Sequence, residues 1–215
     1  MGVLMVKAII FDLQGTLVEN GVYPSPLRQV KNILRIEAPF SDFVMRFEKV
    51  LMIEKHLSLT EAFSSVCEEF HMQPKDYLLE KMVGLWNKNK LLSQLYPDTL
   101  EVLTELKSEY KLVLVANIDC FSKDVIDKFQ LGKYFDLMML SCDTGLLKND
   151  KKFYNVILDK LGLDAEDVLM IGDSIESDLD TAKASGIRGV LIDRHNKREY
   201  APKMITLTEL KQYLE

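Results

Sequence analysis

The sequence predicts a doubly wound α/β fold, a parallel sheet covered by helices on both faces, interrupted by an all-helical insertion. Short apolar runs rich in β-branched residues recur at Val6–Phe11, Leu112–Ala116, Asp136–Leu140, Val168–Ile171 and Gly189–Ile192. Amphipathic helical patterns separate the last four of them. Only the interval from about Val22 to Ser93 shows helix after helix with no strand-like run. Strands alternating with helices build a parallel sheet, and strands buried on both faces read as nearly continuous apolar runs.

Val6–Phe11 is the first expected strand. The apolar stretch from Val3 lacks a small-residue cleavage site and runs straight into Asp12, so a buried strand fits it better than a signal sequence. The insertion follows. Pro24 and Pro26 open a helix with Leu27, Val30, Ile33 and Leu34 inward, and Pro39 precedes one with Phe43, Phe47, Val50 and Leu51. Ser58-Leu-Thr-Glu61 is a capping-box pattern that starts a third helix, with Ala62, Phe63, Val66 and Phe70 on its apolar face. Pro74 begins a fourth, carrying Leu78, Met82, Leu85 and Trp86. Four helices in series predict a compact bundle, and their aromatic and methionine stripes read as core. Beyond it, Leu100, Leu103 and Leu106 share a helix face, as do Phe153, Val156, Ile157 and Leu161. Ile175–Ser185 reads as a helix stopped by Gly186. The expected segments are 1–18 and 94–215 for the sheet domain and 19–93 for the four-helix insertion.

A chain of 215 residues that is 47% hydrophobic and 28% charged has an ordinary globular composition. The net charge of −6 argues against non-specific nucleic-acid binding, and the basic run Arg194, Lys197 and Arg198 reads as a solvated loop. No stretch approaches the roughly 18 apolar residues of a membrane span. Cys67, Cys120 and Cys142 are odd in number and without metal-ligand spacing, which predicts reduced thiols and a cytoplasmic setting. His56, His71 and His195 are scattered, as surface or satisfied residues are. Oligomeric state is not legible.

In open parallel sheets, ligands sit beyond the carboxyl ends of the strands. Four positions there carry polar residues. Phe11-Asp12-Leu13-Gln14-Gly15-Thr16 is a turn or a site with a nucleophilic carboxylate, and Asn117 ends an apolar strand. Lys148 stands just before a helix. Ile171-Gly172-Asp173-Ser174 is followed by Asp178, a carboxylate pair that either complements a helix dipole or holds a hard cation. Together they offer a nucleophile, a cation, an amide and an acidic pair at one sheet edge. That set suits phosphoryl transfer, where placement and charge neutralisation carry most of the catalysis.

The order Asp12-x-x-Gly15-Thr16, Asn117, Lys148, then Gly172-Asp173-Ser174 with Asp178, resembles the haloacid dehalogenase superfamily. Leu146-Leu147-Lys148-Asn149-Asp150 is similar to that family's Lys-Pro-Asp region, and Asp178 to Gly186 to its Asp–Ala–Gly helix. The resemblance implies a Rossmann-like core with an inserted helical cap, and a small phosphorylated (or halogenated) metabolite as substrate. It implies Asp12 as nucleophile and Lys148 as the group neutralising it. Thr16, Asn117 and Ser174 would bind the phosphoryl group. Mg²⁺ would be held by the Asp12 carboxylate, the Gln14 main-chain carbonyl and Asp173, with Asp178 standing behind them or acting through water.

Two departures from the family pattern bear on activity. Phosphatases of the family usually carry a second Asp two positions after the nucleophile as general acid and base; here that place is Gln14, which cannot carry the proton. Ala116 stands where relatives place Ser or Thr before the Asn. The implied activity is a specialised Mg²⁺-dependent phosphatase or phosphotransferase. The alternatives are a 2-haloacid dehalogenase, a phosphonate-cleaving hydrolase with a cap lysine such as Lys49 or Lys55, and a non-catalytic phosphate-binding regulatory protein. Intact Asp173 and Asp178 weigh against the metal-free dehalogenase.

Overall fold

The computed structural model describes residues 6–214. Residues 1–5 and 215, at the ends of the expected sheet domain, lie outside the described residues. Six parallel strands form the main sheet in the order β5-β4-β1-β6-β7-β8. They are β1 (Ala8–Asp12), β4 (Lys111–Ala116), β5 (Leu137–Leu140), β6 (Val168–Gly172), β7 (Arg188–Ile192) and β8 (Lys203–Met204). The five expected strands are present. β8 was not foreseen, since two residues, one of them lysine, give no apolar run.

β1 lies at the centre, wholly buried, with Ala8 beside Lys111 on one side and Val168 on the other. Its side chains alternate between two cores, as a pleated strand requires. Ile9 and Phe11 join the cluster covered by α5 (Thr99–Leu106) and α6 (Asp124–Lys128). Ala8 and Ile10 join the cluster under α8 (Lys151–Leu161) and α9 (Thr181–Ala184). Parallel register therefore brings Asp12, Ala116 and Gly172 to one edge of the sheet.

The helical insertion holds α1 (Pro26–Ile33), α2 (Phe40–Ile53), α3 (Leu59–Glu69) and α4 (Asp76–Leu92). Pro26 occupies the first turn of α1, and Ser58 caps α3 by accepting the Glu61 N–H. Glu61 reaches back to the Leu57 N–H rather than to that of Ser58, so the capping box is shifted by one residue. The four apolar stripes meet in a separate core in which Phe47 and Phe63 each lie 5.6 Å from the Trp86 ring. Leu147 and Phe121 of the sheet domain pack into this same core. Where the chain passes into and out of the insertion, β2 (Val18–Glu19) pairs antiparallel with β3 (Gln94–Leu95), a two-residue ribbon too short for a periodicity signal.

The segment expected as one helix over Ile175–Ser185 instead opens with a π-turn at Ile175–Asp180 and continues as α9. The Leu179 N–H reaches the Ser174 carbonyl, five residues back. The extra residue in the turn swings Asp178 towards the sheet edge; such insertions recur at functional sites. Among the described residues no helix is long and apolar enough to cross a membrane.

Candidate active site

Asp12 closes β1 and is buried. The chain then turns tightly: the Leu17 and Val18 N–H groups both donate to the Leu13 carbonyl, and the Gly15 N–H donates to Val18. Gly15 has φ +83 and lies against the Asp173 carboxylate, where any Cβ would overlap it. A second glycine makes the same kind of room on β6, since a Cβ on Gly172 would overlap the Asp178 carboxylate. Both glycines of the sequence motifs thus admit an acidic side chain at close quarters.

The loop after β5 and the short α7 (Ser141–Thr144) delivers Lys148. Its backbone N–H donates to Asn117 Oδ1 at 2.9 Å. Its ammonium stands 2.5 Å from Asp12 Oδ1 and 2.6 Å from Asp178 Oδ1, with all three side chains buried. Asp178 Oδ2 accepts the Ser174 N–H at 3.0 Å, so both oxygens of this carboxylate are engaged by protein donors.

Asp12, Asp173 and Asp178 each place one oxygen within 4.8 Å of the others. Asp12 Oδ2, Gln14 Oε1 and Thr16 Oγ1 are buried and have no hydrogen-bond partner. A buried carboxylate oxygen without a donor is costly unless a cation or proton meets it. An all-oxygen set with an orphaned, charged member suits a hard divalent ion.

The electrostatics show the same excess of acid. Burial pushes the Asp12 carboxyl up; Lys148 opposes this, and Asp178 and Asp173 add to the rise. Asp173, whose side chain keeps 35% of its surface, is pushed up to about 6 by burial and by Asp178. Burial works against the Lys148 charge, yet Asp12 and Asp178 outweigh it and hold the ammonium well above the ordinary lysine range. Three carboxylates around a single ammonium leave the cluster with more negative than positive charge.

The sequence-selected residues therefore converge, with distinctions among them. Asn117 spends both ends of its amide on the protein, accepting from Lys148 and donating to Glu48 Oε2 at 2.8 Å. The Ser174 hydroxyl caps the π-turn by accepting the Ser177 N–H at 3.3 Å. Thr16 offers its orphaned hydroxyl. Arg194 is not solvated, as its place in the basic run suggested. It stacks on Tyr96, pairs with Asp98 at 2.7 Å and donates to the Thr16 carbonyl, tying down the loop that follows Asp12.

Two features were missed in the sequence. Glu48, on α2, reaches Asn117 from the insertion, and Trp86 on α4 donates to Asp119 at 2.9 Å and to Ser122 at 3.2 Å. Glu48 flanks the apolar stripe beside Phe47, where an acidic residue looks like any other surface charge.

The family model of the haloacid dehalogenase-like hydrolases matches residues 6–186. The chain belongs to the haloacid dehalogenase-like hydrolase family. It is 29% identical over 212 residues to a phosphoglycolate phosphatase of Mesorhizobium japonicum, covering 92% of this chain and 88% of the relative. It is 23% identical over 207 residues to the N-acylneuraminate-9-phosphatase of Mus musculus, covering 89% and 84%. The crystal structure of a HAD phosphatase from Thermococcus onnurineus superposes with a TM-score of 0.64 at 25% identity, covering 97% of this chain and 98% of that one.

Proposed function

We propose that the protein is a Mg²⁺-dependent phosphatase that transfers the phosphoryl group of a small phosphorylated metabolite to Asp12 and then to water. The observation that carries this reading is the Asp12 carboxylate, with one oxygen held by Lys148 and the other buried without a partner beside Asp173. Asp12, the Gln14 main-chain carbonyl and Asp173 would hold Mg²⁺, which when bound supplies charge neutralisation at the phosphoryl oxygens. The relatives named as phosphatases of small phosphorylated compounds support the substrate class.

In this reading Lys148 neutralises Asp12 and the transferring phosphoryl group, so that one carboxylate oxygen attacks phosphorus while the other would meet the ion. Asp178 positions Lys148, so the ammonium stays where charge develops. Thr16, Asn117 and Ser174 line the phosphoryl position, the first through its unengaged hydroxyl. Ala116 contributes no hydroxyl there, a loss of about 3 kcal/mol where such a donor faces developing charge. Residues 19–93 form the cap that excludes water, with β2 and β3 as its connection. A metal-free dehalogenase has no use for Asp173, which argues against that alternative.

The test is hydrolysis of p-nitrophenyl phosphate with Mg²⁺ and with EDTA, beside Asp12→Asn. Metal-dependent release that the substitution abolishes, with a covalent phosphoenzyme trapped by rapid quench, is the expected result. Halide release from 2-haloacids in EDTA, without phosphate release, overturns it.

A further inference from the structure

Phosphoryl transfer places the attacking and leaving oxygens in line. With Asp12 attacking from the end of β1, an in-line leaving oxygen would lie on the side of phosphorus away from that carboxylate. Gln14, an amide, cannot give it a proton. One ionisable group of the insertion is anchored to the site: Glu48 on α2, half-buried, whose Oε2 accepts the Asn117 amide at 2.8 Å. Asn117 in turn holds the Lys148 backbone, and Lys148 holds Asp12. Glu48, from the insertion, is thus tied through Asn117 and Lys148 to Asp12.

The geometry points to Glu48 as the general acid and base of the reaction, taking the place that Gln14 cannot fill. The inference rests on the phosphatase reading above. In the first step an Asp12 oxygen bonds to phosphorus, the bond from phosphorus to the leaving oxygen breaks, and that oxygen takes the proton from the Glu48 carboxyl. In the second step the Glu48 carboxylate takes a proton from water as the water oxygen bonds to phosphorus and the Asp12–phosphorus bond breaks. The cycle consumes one water, releases an alcohol and inorganic phosphate, and returns Glu48 protonated. Since Oε2 accepts the amide, the mobile proton belongs to Oε1.

The surroundings suit the task. Burial pushes the Glu48 carboxyl up to about 7; Lys148 and the Asn117 amide oppose the rise and Asp178 adds to it. A group that titrates near the working pH serves best as both acid and base. Neither Lys49 nor Asn117 can do so: Lys49 is exposed, and Asn117 carries an amide.

The experiment compares wild type, Glu48→Gln, Glu48→Asp and the double variant Glu48→Gln with Gln14→Asp, on β-glycerophosphate and p-nitrophenyl phosphate, with Mg²⁺ and rapid quench. Glu48→Gln is expected to lower kcat on the alkyl ester about 10²–10⁴-fold. It is expected to keep a p-nitrophenol burst of about one per site, because nitrophenolate leaves without a proton, and to accumulate phosphoenzyme. The alkaline limb of the wild-type kcat/KM profile on the alkyl ester, near pH 7, disappears in the same variant. Glu48→Asp and the double variant recover part of the rate. Alkyl ester turnover by Glu48→Gln within a few-fold of wild type overturns the inference and leaves the phosphatase reading intact. So does equal slowing of the p-nitrophenol burst, which marks a purely structural role. A wild type that forms no phosphoenzyme and hydrolyses neither ester overturns the phosphatase reading and this inference with it.

Discussion

Lys148 and Asp178 form a fully buried ion pair at 2.6 Å, and the aspartate is itself tucked against a glycine that leaves no room for a side chain. A lysine so placed cannot drift from the Asp12 oxygen it also holds. What the pair does not do is balance the site, because Asp12 and Asp173 crowd the same edge.

That imbalance predicts a gain of stability from losing the Asp12 charge. Burial and two neighbouring carboxylates raise the Asp12 carboxyl, so its charged form strains the folded state. Asp12→Asn should raise the Tm of the metal-free protein at pH 8 by about 2–4 °C, the shift that about 1 kcal/mol brings in a chain of this size. The gain should shrink at pH 5, where the wild-type carboxyl is already neutral. A lower Tm for the variant at pH 8 would show that the Lys148 bond outweighs the crowding.

The same sign governs pH dependence. Asp12 and Asp173 have folded-state values above the unfolded value of about 3.9. Their contribution to stability is fully present below that value and is lost as pH rises, through about 6 for Asp173 and further for Asp12. In EDTA the Tm should therefore fall between pH 5 and pH 8. Mg²⁺ should restore more at pH 8 than at pH 6, and calorimetry in two buffers should show protons released on binding. A Mg²⁺ effect independent of pH would place the ion away from these carboxylates.

Gly15→Ala combines a left-handed backbone with a side chain aimed at Asp173. Destabilisation above about 1 kcal/mol is expected, read from urea midpoints, along with weaker Mg²⁺ binding as Asp173 is displaced. Stability unchanged from wild type would mean that the turn can reopen.

Trp86→Phe keeps the ring in the helical core and removes the N–H shared by Asp119 and Ser122. A loss of about 1.5–3 kcal/mol is expected, the worth of a hydrogen bond to a charged acceptor, since Asp119 keeps its bonds from Ser122 and the Phe121 N–H. The loop between Asn117 and Asp124 should become more open to proteolysis. A neutral substitution would mean that Phe121 and Leu147, packed into the same core, hold the insertion without it.

The sheet and the four helices were legible because burial writes itself into apolar period. β1 alternates between two cores, and Phe43, Phe47, Val50 and Leu51 face one. The convergence of Asp12, Asn117, Lys148 and Asp173 was legible because parallel strands end at one edge. Contacts between the insertion and the sheet were not, since Glu48 meets Asn117 across 69 positions and nothing periodic marks either one. The π-turn was hidden for a different reason: one additional residue in a turn changes the direction of Asp178 without changing composition. Arg194 was misread because a cation stacked on Tyr96 and paired with Asp98 has the same letters around it as a solvated one.

The ribbon of Val18–Glu19 against Gln94–Leu95 brings two distant points of the chain side by side. The order and register of the six sheet strands do not depend on what is strung between those points. Another insertion, short or long, could be grafted there without rethreading the sheet. The helices strung there are thus a replaceable part: they can be redrawn for a new substrate, provided they again present an acid where Glu48 stands, while Asp12, Lys148 and Asp173 keep their places.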